Sequence, residues 1–394
     1  MNPVTNPYSP GAGTPPTELA GRDDLRETVR IAIARLRLGR PAKSQLLIGL
    51  RGVGKTVLLE QMRLDAEKEG VHTVRIETPE NRSLPALLAP QLRLALLRLS
   101  RIKTAQHVAH KALRALAGFA TSLKMKFGDI EVGLDFEPEP GLADNGDLEG
   151  DLTTLLAAVG VAAQHADTAL VMFIDELQYV SENELAALIT ALHRCAQDRL
   201  PVAMMGAGLP QLRGKAGNAK SYAERLFDYP EIGPLEHDDA VKAILEPARE
   251  EGVAFEVEAV EAIVKETQGY PYFLQEWGKH TWDVARQSPI TVDDVITAHQ
   301  LTIAALDESF FRVRFDRLTP AEKRYIRAMA ELGAGPHRSG DIAALLQREV
   351  TSLAPLRSKL IEKGMIYSPN HGDTAFTVPL FDEFMRRTMR LENL

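Results

Sequence analysis

The sequence predicts an α/β protein: a parallel β-sheet covered by helices on both faces, then a helical bundle, then a C-terminal unit of three helices and a β-hairpin. Three observations predict it. Apolar strand-like runs alternate with helix-patterned segments over residues 17–235, the order that builds a parallel sheet. A glycine-rich stretch, Gly49 to Thr56, leaves the first of these strands and opens a helix. Beyond residue 236 the pattern turns helical, and a strand–turn–strand returns only near the end, at MIYSPNHGDTAFTVP.

The chain has 394 residues, too many for one ordinary core, so two to three domains are expected. Its 45% hydrophobic and 25% charged residues exclude a wholly disordered or collagen-like chain. A net charge of -8 argues against a globally basic nucleic-acid binder but leaves room for a local basic patch. Cys195 is the single cysteine, which excludes an intramolecular disulfide and a cysteine-rich zinc site. No apolar run is long enough to span a membrane, and the first residues, MNPVTNPYSPGAGTPP, lack the pattern of a secretory signal. A cytoplasmic protein with no membrane partner is expected.

Residues 1–16, rich in Pro, Gly, Ser and Thr, read as a disordered lead-in. A helix follows, with Leu25, Val29, Ile31, Ala32 and Leu36 at helical spacing. Strands are expected at Leu46 to Ile48, in HTVRIETPE, in LVMFIDE and in PVAMMGAG, with a fifth in YPEIGPL. The third is apolar throughout, as a strand buried on both faces requires. Residues 81–151 form a charged insertion. Its first part carries Arg82, Arg93, Arg98, Arg101, Lys103, Lys111, Arg114, Lys124 and Lys126 with no acid, and 129–151 carry acids from Asp129 to Asp151 with no base. Such blocks mark either a partner surface or two halves lying against each other. His107 and His110, three apart, read as solvated helix histidines, since no third metal ligand accompanies them. Residues 236–316 read as a helical lid and 317–394 as a winged helix-turn-helix.

The Gly49–Thr56 stretch fits the G-x-x-x-x-G-K-[ST] phosphate-binding pattern, and its place between strand and helix supports that reading. Gly49, Gly52 and Gly54 let the backbone curl until several N–H groups face a phosphate. The helix N-terminus adds partial positive charge. Lys55 brings an ammonium to the outer phosphates, and the Thr56 hydroxyl is a Mg²⁺ ligand. The third strand ends in Asp175-Glu176. Carboxylates at a buried strand end are costly unless used; Asp175 is expected to hold Mg²⁺, directly or through water, and Glu176 to polarise an attacking water. The expected ligands are therefore ATP or ADP with Mg²⁺. No N-K-x-D motif follows the fourth strand, which argues against a GTPase.

Together these motifs resemble the AAA+ superfamily of P-loop ATPases. Ala20-Gly21-Arg22-Asp23-Asp24 resembles the box that precedes the first strand in the origin-recognition and archaeal-initiator branch and in STAND signalling ATPases. Gly269-Tyr270-Pro271 resembles the G-x-P of the STAND and archaeal-type lid. The resemblance implies that Arg22 lies by the adenine, that Pro271 packs near the base, and that a winged helix follows the lid. It also points to Arg225 as an arginine finger or γ-phosphate-sensing residue; the alternative is an ion pair, with Glu224 or another acid, or a packing role. Two departures stand out. The fourth strand offers Met205, Gly206 and Ala207 where the superfamily has a polar sensor, and GYPYFLQ lacks the initiator lid's arginine. Losing such groups costs rate, so slow or partner-completed hydrolysis is expected.

In the C-terminal unit the candidate DNA reader is the helix at 351–363, with Thr351, Ser352, Ser358 and Lys359 on its outer side and Arg357 and Lys363 within reach of phosphates. From Thr319 onward eleven Lys/Arg face nine Asp/Glu, a weakly basic balance. Two readings stay open. One is an ATP-driven switch that binds double-stranded DNA. The other is a STAND-like scaffold whose winged helix makes protein contacts only, with a homo-oligomer or protein partner as its output.

Overall fold

The computed structural model describes residues 1–11, 13–80, 82–127 and 137–390, without the side chains of 123–127. Lys124, Lys126 and the acids of 129–136 therefore lie outside the described residues. The elements in order are α1 (Asp23–Arg37), β1 (Ser44–Gly49), α2 (Lys55–Lys68), β2 (His72–Glu77), α3 (Leu84–Leu99), α4 (Gln106–Phe127), α5 (Leu148–His165), β3 (Leu170–Asp175), α6 (Glu182–Gln197), β4 (Val202–Gly208), α7 (Gln211–Ala219), α8 (Ala223–Leu226), β5 (Phe227–Asp228) and β6 (Glu231–Ile232). They are followed by α9 (His237–Glu250), α10 (Val257–Thr267), α11 (Pro271–Val284), α12 (Val292–Ala305), a π-helical turn (Leu306–Phe311), α13 (Arg312–Asp316), α14 (Pro320–Glu331), β7 (His337–Arg338), α15 (Ser339–Leu345), α16 (Val350–Glu362), β8 (Ile366–Tyr367), β9 (Asp373–Phe376) and α17 (Phe381–Thr388).

The α/β class is as expected. The main sheet runs in the order β2-β3-β4-β1-β5, with β6 also beside β1, and every pairing is parallel. β1, β3 and β4 are buried along their whole length, which explains why they read as unbroken apolar runs rather than alternating ones. The expected fifth strand is two short pieces, because Tyr229 and Pro230 interrupt it and Pro cannot donate to the ladder. Pairing Glu77 with Asp175 and Ile174 with Gly206 brings the C-terminal ends of β2, β3 and β4 together, beside the loop that leaves β1.

One face of the sheet packs on α1 and α2 through Val29, Ile33, Leu58 and Met62. The other packs on the insertion: Leu84, Leu88, Leu92 and Leu96, four apart along α3, are all buried. The basic helix pair is thus amphipathic core structure, and Arg114 meets Glu139 of the acidic segment at 3.4 Å. Among the described residues no group of three or more His, Cys, Asp or Glu is placed to hold a metal.

Two corrections follow. The lead-in expected to be disordered is docked. Tyr8 is 3% exposed and its hydroxyl donates to the Ile244 carbonyl at 2.5 Å. Trp282 Nε1 donates to Asn2 O at 3.0 Å, and Asn6 Nδ2 to Lys279 O at 3.1 Å. One buried aromatic anchors a segment whose composition otherwise reads as coil. Tyr8→Ala is expected to cost about 3 kcal/mol and to lower the urea midpoint; an unchanged midpoint would show that the segment adds nothing to the fold. Second, the lid and the C-terminal unit do not have separate cores. Trp277 and Phe273 of α11, Phe311 of the π-turn, and Tyr325, Phe381 and Phe384 belong to one continuous apolar cluster.

The C-terminal unit has three helices (α14, α15, α16) and a small antiparallel sheet in the order β7-β9-β8, with α17 returning onto α14. Among the described residues no helix is long and apolar enough to cross a membrane.

Candidate functional site

A cleft of about 510 Å³ opens where the glycine loop, the lid and residues 9–19 meet, a size suited to a small organic ligand. Arg22, Gly52, Gly54, Lys55, Thr56, Glu176 and Pro271 all line it.

The loop's shape follows from its glycines. Gly52 and Gly54 hold φ of +82° and +86°, a region closed to most side chains. A Cβ on Gly49 would sit 2.3 Å from the Ile232 carbonyl, so only glycine lets β6 run against the end of β1. Gly54 caps α2, whose first N–H groups have no partner within the helix and open toward the loop. Lys55 is buried, and its Nζ donates to the Leu50 carbonyl at 2.8 Å. Burial pushes its ammonium down to about 8, against the pull of Glu176 and Asp175.

Across the loop, Asp175 Oδ2 accepts from Thr56 Oγ1 at 2.5 Å, and Oδ1 accepts from the Glu176 N–H at 2.7 Å. Burial raises the Asp175 carboxyl, and the Thr56 hydroxyl opposes that rise. A carboxylate and a hydroxyl meeting beside a phosphate-type loop fit Mg²⁺, which takes few protein ligands and fills its shell with water and phosphate oxygens. Glu176 adopts φ +56°, a left-handed conformation uncommon for this residue type and typical of functional turns. The Thr78 hydroxyl, just beyond β2, pins the peptides on either side by donating to Asp175 O (2.9 Å) and Glu176 O (2.7 Å).

Two residues that sequence reasoning missed also touch this site. Gln178 Nε2 donates to the Glu176 carboxylate, while its Oε1 accepts from the Leu209 N–H at 3.1 Å. It reaches the end of β4, where that strand has no polar side chain; at Gly206 a Cβ would lie 2.3 Å from Leu177 Cδ1, so no sensor fits there. Arg314, from α13, lines the cleft beside Arg51. Nothing local marks Arg314 in the sequence, since it lies more than 250 positions beyond the loop. Arg51, inside the phosphate loop, is held: Nη2 donates to Tyr179 Oη at 2.7 Å and Nη1 lies 4.0 Å from Glu176 Oε1.

Arg22 Nη2 donates to the Gly233 carbonyl at 2.6 Å, and burial lowers its guanidinium while Asp239 opposes. Pro271 opens α11, and the next N–H, of Tyr272, donates to Gly52 O at 3.1 Å, so the lid rests on the phosphate loop itself. Gly49 sits beneath the cleft at the strand end. Arg225 is exposed on α8, outside the cleft lining, so it has no cis contact there.

The residues expected to read DNA lie apart from the cleft, on α16. Thr351, Ser352 and Lys359 are exposed. Arg357 requires a correction: its guanidinium is committed to the hairpin, donating to Thr374 Oγ1 (2.8 Å), Ser368 Oγ (2.9 Å) and Asp373 O (2.7 Å). Lys363 is likewise engaged, by Glu322 at 2.7 Å. Both were expected to reach phosphates, but the hairpin and α14 fold back within their range.

The fold is that of an α/β P-loop core of the AAA+ type. Residues 18–205 match the model of the AAA ATPase domain, and residues 308–385 match a domain of unknown function (DUF8462). A curated relative, an uncharacterized HTH-type transcriptional regulator of Methanocaldococcus jannaschii, is 24% identical over 238 residues, which is 58% of this chain and 56% of that protein, so the match spans little more than half of the relative. Among solved structures, the Walker-type ATPase of Pyrococcus abyssi shares the fold with a TM-score of 0.59 at 17% identity, over 95% of this chain and 98% of that one. The Orc1 protein of Aeropyrum pernix, solved in complex with DNA, aligns over 95% of this chain and 94% of that one, with a TM-score of 0.49 at 14% identity.

Proposed function

We propose that this protein is a slow ATPase that works as a nucleotide-dependent switch, with α16 of a C-terminal winged helix contacting duplex DNA. Lys55, Thr56 and Glu176 line one cleft, with Asp175 joined to it through Thr56, and this arrangement carries the ATPase reading. Lys55 turns from the Leu50 carbonyl to the outer phosphates. Thr56 and Asp175 would hold Mg²⁺, which would supply charge neutralisation for the phosphates. Glu176 orients a water and takes its proton as the new P–O bond forms and the bond to the ADP oxygen breaks. The Gln178 contact holds the Glu176 carboxylate, a task the missing polar residue on β4 leaves open. Slow turnover is expected because β4 ends without a polar sensor residue, and Arg225, exposed and outside the cleft lining, would act only in trans, on a neighbouring subunit's site.

The DNA part rests on the helix order of the C-terminal unit, on the exposed face of α16, and on the transcriptional regulator among the relatives. The test is duplex affinity by fluorescence anisotropy with ATP, with ADP and without nucleotide. Affinity is expected to rise about tenfold with ATP and to fall steeply between about 50 and 200 mM salt. Equal affinity in all three states ends the switch reading.

One observation favours the scaffold alternative. The Arg51 N–H of the phosphate loop donates to the Thr377 carbonyl of the C-terminal unit at 3.1 Å, and Gln211 Nε2 donates to Ile361 O at 3.4 Å. The C-terminal unit thus clamps the loop, as a nucleotide-controlled latch would. Absence of duplex binding in every nucleotide state selects this reading.

A further inference from the structure

Arg314 has no part in the chemistry above, yet it occupies the cleft. It shares the lining with Arg51, Lys55 and Thr56. Its guanidinium lies 4.0 Å over the Phe310 ring and donates to the Phe310 carbonyl. None of the groups that act on its charge is a carboxylate: burial pushes it down to about 10, Arg51 and Arg317 push the same way, and only the Tyr272 and Tyr179 phenols oppose. The acids nearby are already engaged, Asp175 by Thr56 and Glu176 by Gln178. Glu18, Glu77 and Glu176 also line the cleft, but none of them acts on the Arg314 charge; a buried cation without its own anion is costly unless a ligand supplies one.

The segment that carries Arg314 has two faces. Phe310 and Arg314, four apart, look into the cleft, and Phe310 stacks on Tyr272 of the lid at 4.6 Å and 23°. Phe311 and Phe315, one position on, sit in the C-terminal core. Phe311 packs on Phe381 at 5.8 Å and Phe384 at 5.3 Å, and Phe315 on Phe384 at 5.8 Å. The π-turn that ends at Phe311 sets this offset; such turns often mark functional positions in helices.

We propose that Arg314 binds the terminal phosphate of a nucleoside triphosphate and reports its presence to the C-terminal domain through the helix it shares with Phe311 and Phe315. This rests on the reading that the cleft takes ATP. A guanidinium pairs with phosphate by two parallel hydrogen bonds, and only a triphosphate carries the terminal phosphate that Arg314 would take. Drawing Arg314 toward the loop carries Phe311 and Phe315 along, so triphosphate and diphosphate hold the C-terminal domain differently. The arginine absent from α11 is thereby supplied from the hinge, where its movement is coupled to a second domain.

The test uses the full-length chain, titrated by calorimetry with a non-hydrolysable ATP analogue and with ADP. Arg314→Ala is expected to weaken the analogue about 10- to 100-fold and ADP by no more than about threefold. Arg314→Lys keeps charge without the fork and should fall between. In the unmutated chain the analogue, and not ADP, should slow amide exchange over residues 310–316, and Arg314→Ala should lose that response, which a purely structural role would not link to the third phosphate. Equal weakening of both nucleotides, or no weakening, overturns the proposal. If Arg314→Ala does not fold, an unchanged analogue-to-ADP affinity ratio in Arg314→Lys overturns it instead. An unmutated chain that binds neither nucleotide removes the reading of the cleft as well, a distinct failure.

Discussion

Replacing Lys55 by Ala removes nucleotide binding. Lys55 is the first residue of α2, buried at the floor of the cleft, and its Nζ has a single backbone acceptor at 2.8 Å. A buried ammonium with so little compensation is kept at a cost to the fold. Charge-assisted hydrogen bonds to phosphates recover that cost only when a nucleotide is present. Lys55→Ala is therefore expected to lower ATP and ADP affinity at least about a hundredfold, measured by calorimetry, while leaving the ligand-free protein no less stable. The pH dependence has a definite sign. Because the folded value lies near 8 and the ordinary value is 10.5, the penalty is fully present below about 8 and is relieved as pH rises through that range. The Lys55 contribution to stability thus increases with pH above about 8, and Lys55→Ala should remove that rise. Retained nucleotide binding in Lys55→Ala would dismantle the phosphate-loop reading.

Replacing Glu176 by Gln should preserve binding and stop hydrolysis. The substitution keeps the shape, the strained turn and the Thr78 bonds to the backbone, and removes the base together with its charge beside Arg51 and Lys55. Loss of a positioned general base costs about 10²- to 10⁴-fold in rate. The expected outcome is an ATP affinity within a few-fold of the parent and a kcat lower by that factor, read by phosphate release under single-turnover conditions. Unreduced turnover would mean that another group activates the water.

Much of the core was readable because its signals are local. Gly49 to Thr56 specifies strand, loop and helix within eight neighbouring residues, and the uninterrupted apolar run ending in Asp175-Glu176 announces a strand buried on both faces. Arg22 and Pro271 were found through short motifs that keep a fixed relation to elements beside them. The misreadings all concern contacts between separate elements. Tyr8 reads as one aromatic in a coil-like stretch until α9 and α11 close around it. Arg357 and Lys363 read as free cations on a helix face until the hairpin and α14 fold back to meet them. Gln178 and Arg314 carry no motif at all.

The chain's own order of residues determined its secondary structure, its phosphate loop and the identity of the acids beside it, since hydrogen-bond periodicity and glycine conformations are settled among near neighbours. Tertiary structure alone decided which cations stay available, how the N-terminal segment is held, and that the lid and C-terminal domain share one core. Those outcomes depend on side chains from different elements, 11 positions apart for Arg357 and Ser368 and 280 for Asn2 and Trp282, competing for the same partners and the same apolar space, and a linear pattern carries no record of that competition.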